Sequence, residues 1–248
     1  MVNMKRVLLT LSYNGTAYHG WQIQPNAVTV QQILEEALFK ILSKETRVHG
    51  CSRTDAGVHA KMFCCHLDCE DTIPDMAFLK GLNSVLPDDI AVTHCKTVDA
   101  GFHARFNAKG KTYVYNILNN GKKDAFLSPF VWQIERRLDI DVINEFCKTV
   151  VGKHDFYGFS SSGRSVTDTV RTVSECYAER EDDLIRISVT ADGFLYNMVR
   201  IIVGTAVDVA LGTLDKDCAL KVFKTKERNF AGITAPAKGL FLEKVYYD

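Results

Sequence analysis

Arg6-Val7-Leu8-Leu9-Thr10-Leu11-Ser12-Tyr13 and Thr29-Val30-Gln31-Gln32-Ile33-Leu34-Glu35-Glu36-Ala37-Leu38-Phe39-Lys40-Ile41-Leu42 decide the fold class between them. In the first stretch Val7, Leu9, Leu11 and Tyr13 recur at every second residue, the period of a half-buried strand. Asn14-Gly15 then supplies turn chemistry. In the second stretch Val30, Ile33, Leu34, Ala37, Leu38, Ile41 and Leu42 form one stripe at helical spacing. Thr29 with Gln32 three residues on is the signature of a capping box. A strand followed by an amphipathic helix therefore opens the chain.

Working outward, short strands are predicted at 48–51 and 61–68. A helix capped by Asp75 follows, with Phe78, Leu79 and Leu82 inward, and then strands at 90–98 and 111–118. The second half opens with a helix over 139–151 closed by Gly152. Strands at 169–178 and 184–190 meet at an acidic turn. A long helix spans 193–211 with Gly212 as its stop, Asp215 caps a short helix reaching Phe223, and 240–246 is a closing strand. Each half runs in a β-α-β-β-α-β-like order, so the expected class is α+β with two similar lobes, 1–108 and 109–248. No Pro-rich or Gly/Ser-rich linker separates them, and only 119–128 reads as a surface connection.

The 248 residues are 46% hydrophobic and 24% charged. That is enough apolar material to bury a core without disulfides or metal, and too much for a disordered chain. The longest nearly uncharged apolar run, 199–211, contains Arg200 and Asp208 and is too short to span a membrane. The N-terminus passes from Met1-Val2-Asn3-Met4-Lys5-Arg6 into the first strand without a signal-peptide pattern, so the cytoplasm is the expected location. Basic and acidic residues balance at 30 each, and the net charge gives no prior for nucleic acid. Their distribution is uneven. Arg105, Lys109, Lys111, Lys122 and Lys123 fall in the acid-free stretch 100–123, and Lys221, Lys224, Lys226, Arg228 and Lys238 face one acid, Glu227. Segregated charge of this kind can give a neutral protein a basic face, while any single run also reads as a plain solvated stretch.

The 8 cysteines include no Cys-x-x-Cys pair. His59, Cys64, Cys65, His66 and Cys69 are close in sequence, but strand alternation puts Cys64 and His66 on one face and Cys65 on the other. That spacing does not suit a tetrahedral metal site, so no metal is expected and the cysteines read as small reduced core residues. No Gly-rich nucleotide fingerprint or P-loop is present, and no cofactor is expected.

Chemistry concentrates in Cys51-Ser52-Arg53-Thr54-Asp55-Ala56-Gly57-Val58-His59-Ala60, a polar loop between two apolar strands. Asp55 suits a nucleophile or base, Arg53 an anion contact and His59 a general acid or base. The same spacing also suits a plain turn, with Asp55 capping the backbone and Arg53 paired to it at the surface. Phe102-His103-Ala104-Arg105-Phe106, followed by Lys109, Lys111, Tyr113 and Tyr115, interleaves bases with aromatics, as phosphate contacts plus base stacking require. An ordinary strand with Tyr113 and Tyr115 inward has the same pattern. Arg200 lies in an otherwise apolar helix, where a charge needs a carboxylate partner from another element.

These residues resemble the tRNA pseudouridine synthase A family. Arg53-Thr54-Asp55-Ala56-Gly57-Val58-His59-Ala60 is similar to its active-site motif, and Tyr13-Asn14-Gly15 with Tyr18-His19-Gly20-Trp21-Gln22 to its N-terminal signature. Phe102 to Phe106, Lys111 to Tyr115, Gly152 to Phe156, Met198-Val199-Arg200 with Ile202-Val203-Gly204, and Gly239-Leu240 with Leu242 match in family order across nearly the whole chain. The resemblance implies two RRM-like lobes joined in one largely antiparallel mixed sheet. Helices would cover one face, and the active-site cleft would lie between lobes. It implies Asp55 as the essential aspartate, Arg53 as the arginine that helps extrude the target nucleotide, and Tyr113 as the tyrosine that packs on the base. It also implies Arg200 as the partner of the aspartate and Arg105 as part of the RNA surface. The implied substrate is the tRNA anticodon stem-loop, at the family-typical tRNA positions 38, 39 and 40, handled by a homodimer without a cofactor. Ser52, where the family usually has glycine, and Lys61-Met62, in place of Gly-Gln, depart from the pattern and leave the RNA target less defined than the chemistry.

Isomerising uridine breaks the C1′–N1 bond, turns the uracil and joins C5 to C1′. No atom is gained or lost in the whole. A carboxylate either attacks C1′ or takes a sugar proton to give a glycal-like intermediate. The base must first leave its stack, at a cost of a few kcal/mol. Two other classes compete. A non-catalytic RNA-binding pair of RRM-like lobes needs no carboxylate beside a buried arginine, and a glycosidase needs a second acid across the site.

Overall fold

The computed structural model describes residues 3–163 and 166–247. Met1 and Val2, at the head of the N-terminal stretch, lie outside them. The elements run β1 (Met4–Tyr13), α1 (Val30–Leu42), β2 (His49–Gly50), β3 (His59–Glu70), α2 (Asp75–Asn83) and β4 (Ile90–Val98). Then come β5 (Gly110–Leu118), β6 (Trp132–Gln133), α3 (Ile140–Val150), β7 (Gly152–Asp155), β8 (Val170–Glu181) and β9 (Leu184–Ala191), followed by α4 (Met198–Ala210), α5 (Cys218–Thr225) and β10 (Leu240–Tyr246). The class is α+β, as the two periodicities predict.

The chain forms two compact units, Met1–Lys109 with Leu242–Asp248, and Gly110–Phe241. A single cut after residue 108 assigns the last strand to the C-terminal lobe, whereas its residues from Leu242 onward belong with the first unit. The reason is that β10 pairs with β3 there, giving the strand order β4-β1-β3-β10, with β2 added to β3. β1 is antiparallel to both neighbours, Leu9 facing Cys65 on β3 and Cys95 on β4. In the second unit the order is β5-β9-β8-β7, antiparallel throughout, with β6 parallel to β5.

Val7, Leu9 and Leu11 of β1 are fully buried, together with Val30, Leu34 and Leu38 of α1. Each such aliphatic side chain contributes about 1.5–3 kcal/mol of burial. The predicted cap of α1 forms by half. Thr29 accepts the N–H of Gln32 at 3.4 Å, but the Gln32 amide donates to Glu36 instead of reaching back to the cap. On β3, Cys64, Cys65, His66 and Leu67 are all buried, so both faces of this strand are covered. The cysteines are free thiols, all buried except half-buried Cys95, and burial pushes the Cys65 thiol well up. Among the described residues no group of three or more His, Cys, Asp or Glu side chains is placed to hold a metal ion.

Three predicted helix starts move. Asp75 is the first helical residue of α2, after Pro74, and its carboxylate holds Lys5 at 2.9 Å and the Thr97 N–H at 2.7 Å. α4 starts at Met198 because Asn197 adopts a left-handed conformation, φ 60°, which no helix continues. α5 starts at Cys218, while Asp215 pairs with Lys221. α4 is the central helix of the second unit, with Ile201, Ile202, Val203 and Val207 fully buried.

Candidate active site

Loop 51–58 connects β2 to β3, and Asp55 sits half-buried on it between buried Thr54 and buried Val58. The N-terminal signature, residues 13–21, fixes this loop on both sides of the carboxylate. Before Asp55, the Thr54 carbonyl accepts the Trp21 N–H at 3.2 Å, and the Thr54 and Tyr13 hydroxyls bond at 2.8 Å inside the core. After it, the Gly57 N–H donates to the Tyr18 carbonyl at 3.1 Å, and the Val58 N–H closes a turn on the Asp55 carbonyl at 3.1 Å. Tyr18 is itself held through its hydroxyl on Asp89.

The two glycines of the signature are required by closeness. A Cβ on Gly20 would lie 2.3 Å from the Thr54 carbonyl oxygen, and one on Gly15 would lie 2.0 Å from that of Val58. Gly20 also has φ +82°, a region that L side chains rarely adopt. This explains physically why Tyr13-Asn14-Gly15 and Gly20-Trp21 accompany the Asp55 loop in one sequence pattern.

His59, read from sequence as an acid or base, is a structural acceptor. It is buried to 1% exposure, and its Nδ1 takes the Gly15 N–H at 3.0 Å. Arg53 is exposed two residues before Asp55 on the same loop. Arg105 is also exposed, in the connection between β4 and β5, next to buried Ala104.

In the second unit Tyr113 lies on β5 with 5% exposure, its ring edge-on to Phe194 at 5.0 Å. Arg200 on the first turn of α4 is half-buried. Its Nε donates to the Ala235 carbonyl at 2.7 Å and its Nη1 to the Asn197 side-chain oxygen at 2.9 Å, which orients the guanidinium plane. The neighbouring carbonyl, that of Pro236, accepts the Tyr115 hydroxyl at 2.7 Å. The segment 231–236 is thus fastened to α4 and β5. It lies so close to α4 that a Cβ on Gly204 would meet the Ile233 carbonyl oxygen at 1.9 Å. Asp208, two turns beyond Arg200, holds the Ile233 N–H of the same segment. Burial pushes the Tyr115 phenol well above its ordinary range, against a smaller opposing effect of Arg200.

The structure therefore puts Arg53 and Asp55 on one clamped loop, and Tyr113 and Arg200 in the second unit on adjoining elements. Lys111 departs from the sequence reading. It is buried to 8% exposure, whereas Lys109 is exposed, so only the latter can contribute to a basic face. The sequence motifs named the loop, but not its dependence on Tyr13 and Thr54. The signal for that was present, since Tyr13 continues the inward face of β1.

Comparison with known proteins bears on the chemistry. A family model described as tRNA pseudouridine synthase matches residues 10–107 and 146–248. The chain is 45% identical over 244 residues to a tRNA pseudouridine synthase A of Thermoanaerobacter sp. (strain X514), covering 98% of this chain and 100% of that one. It is 43% identical, with the same coverage, to tRNA pseudouridine synthase A 2 of Clostridium perfringens (strain 13 / Type A).

Proposed function

Because this chain belongs to the tRNA pseudouridine synthase family, an isomerase acting on tRNA uridine, we propose that it converts uridine to pseudouridine in the anticodon stem-loop, with Asp55 as its essential carboxylate. The observation that carries the role of Asp55 is the clamp. Hydrogen bonds at Thr54, Gly57 and Val58 fix the backbone on either side of a half-buried acid, which pre-positions a reacting group.

Asp55 attacks C1′ or takes the sugar proton; either route cleaves C1′–N1, and as C5 bonds to C1′ the Asp55–C1′ bond breaks or the sugar proton returns, while C5 gives a proton to water and N1 takes one up. Arg53, exposed beside Asp55, is suited to the extruded nucleotide's phosphate or to the gap the base leaves. Tyr113 provides the wall on which detached uracil turns. Arg200, with its plane set by Ala235 and Asn197, is the proposed counter-charge that keeps Asp55 ionised. Arg105 belongs to the RNA surface. A homodimer that receives one tRNA across both copies, and a cytoplasmic location, complete the proposal. No helix among the described residues is long and apolar enough to cross a membrane.

The test is site mapping. Unmodified tRNA transcripts incubated with the protein are analysed for pseudouridine position by position. Product confined to the anticodon arm is expected. Product only in another arm would overturn the substrate assignment while leaving the family chemistry intact.

A further inference from the structure

The turn at 102–107 is held almost entirely by side chains. Arg6 donates to the Phe102 carbonyl at 2.9 Å, and the Tyr247 hydroxyl donates to that of Ala104 at 2.8 Å. Asn107 accepts the His103 N–H at 2.7 Å and returns its own N–H to the His103 carbonyl at 3.0 Å. The next three N–H groups all end on imidazole nitrogens. Ala104 donates to Nδ1 of His66 at 3.1 Å, and Arg105 and Phe106 donate to Nδ1 of His103 at 3.1 and 3.4 Å. Two exposed side chains leave this braced turn. Phe106 is 75% exposed. The Arg105 guanidinium stands 5.8 Å from the centre of that ring, and His103 backs the ring at 4.2 Å.

An exposed aromatic with an arginine beside it, on a rigid turn, has the chemistry of a nucleotide site: a stacking face and a phosphate contact. We propose that this turn is a docking hook for one nucleotide of the tRNA, Phe106 stacking its base and Arg105 holding its phosphate, with neutral His103 as the positioning residue that aims both. The proposal rests on the reading of the chain as a tRNA-binding enzyme.

The role of His103 follows from its lone pair. An Nδ1 that accepts two N–H groups cannot carry a proton. The same chain does this job elsewhere with a carboxylate, where Asp124 accepts the N–H groups two and three residues on, from Phe126 and Leu127, at 2.8 and 2.9 Å. An imidazole in that role adds a pH dependence. The groups facing it are mostly positive or potentially so: His49 with its ring at 5.9 Å, His66 at 4.7 Å, Arg6 paired to Asp68, and Arg105. Burial, then the charges of His49, Arg6 and Arg105, hold His103 below the usual histidine range. Acidification nevertheless protonates it at the cost of both bonds. The sign is diagnostic, because added positive charge ordinarily tightens RNA binding, whereas here protonation loosens the hook.

The experiment measures affinity for an unmodified tRNA transcript, and turnover at saturating tRNA, at about pH 7.5 and about pH 5.5. It uses the wild type and the variants H103N, H103L, F106A and R105A. Expected are losses of affinity of about tenfold in F106A, R105A and H103L at the higher pH, with saturating turnover of H103L within about twofold. H103N, whose amide oxygen repeats the Asp124 geometry without titrating, keeps wild-type affinity and loses the acid-induced weakening that the wild type shows. Wild-type affinity that follows H103N at both pH values, or H103L binding like wild type while R105A and F106A bind weakly, overturns the positioning role. Wild-type affinity in R105A and F106A overturns the hook. A wild type that binds tRNA but makes no pseudouridine refutes the proposed function instead, on a separate readout.

Discussion

Replacing Gly20 with alanine tests whether the N-terminal signature positions Asp55. The added Cβ would meet the Thr54 oxygen at 2.3 Å, the Asp55 carbonyl carbon at 3.1 Å and the Ala56 nitrogen at 3.3 Å. Restoring ordinary contact needs a displacement of about 1 Å of the Thr54–Asp55 backbone, judged against normal packing distances. The φ of +82° adds about 1–2 kcal/mol for an L side chain, and overpacking adds about 1–3 kcal/mol. A loss of about 3 kcal/mol leaves a domain of ordinary stability folded and lowers Tm by about 10 °C. A misplacement of about 1 Å at a reacting group costs about 100-fold in rate. The assay is single-turnover release of tritium from C5-labelled tRNA at saturating enzyme, with a thermal melt alongside. Gly121→Ala, where a Cβ meets nothing within 4 Å, is the control. A Gly20→Ala protein with the lowered Tm and an unchanged rate would falsify the claim that the clamp sets the place of Asp55.

Three further outcomes are expected. Arg200→Lys loses the planar fork and its bond to Ala235, so the single-turnover rate falls strongly while tRNA affinity changes little; the reverse pattern would make Arg200 an RNA contact. Lys109→Ala flattens the salt dependence of tRNA affinity, since an exposed lysine releases a counterion. Lys111→Ala, at a site with 8% exposure, acts on stability instead, and a flattened slope in that variant would contradict its burial. His66 is held down to about 4, chiefly by burial, from an ordinary 6.5. The unfolded chain therefore binds the proton first, so this stability is fully present above about pH 6.5 and is lost as pH falls towards 4, on the order of 3 kcal/mol in all. Denaturant titrations across that range show the loss in wild type, and His66→Phe flattens it; equal slopes would refute the assignment.

What the sequence reveals depends on which force sets each feature. β4 and β10 have their predicted bounds, 90–98 and 240–246, although burial is confined to Ile90 and Val92 on the first and to Leu240, Leu242 and Val245 on the second. α4 is predicted to start five residues too early, because apolar Leu195 and Met198 sustain the helical pattern through Asn197, whose left-handed backbone is a local event that hydrophobic periodicity does not register. Asp75 bears a cap residue's signature but serves Lys5 and Thr97, 70 and 22 positions away in the chain. Long-range partners of this kind leave no trace in local spacing. The same limit applies at the candidate site. The polarity of loop 51–58 marks Asp55, while the fixing of that loop by Tyr13, Tyr18 and Trp21, and the conversion of His59 into a buried acceptor, are tertiary facts. His103 is the clearest case. Its sequence neighbourhood suggests RNA contact, but its ring turns inward to cap the backbone that carries Arg105 and Phe106.

The most direct measurement is the single-turnover tritium release of Asp55→Asn from C5-labelled tRNA, with tRNA affinity and thermal stability measured on the same preparation. The substitution keeps the side chain's shape and removes the carboxylate of a half-buried, backbone-clamped position. The account predicts wild-type affinity, a Tm close to that of wild type, and no detectable release. Release at a rate near that of wild type would contradict the assignment of Asp55 as the essential carboxylate.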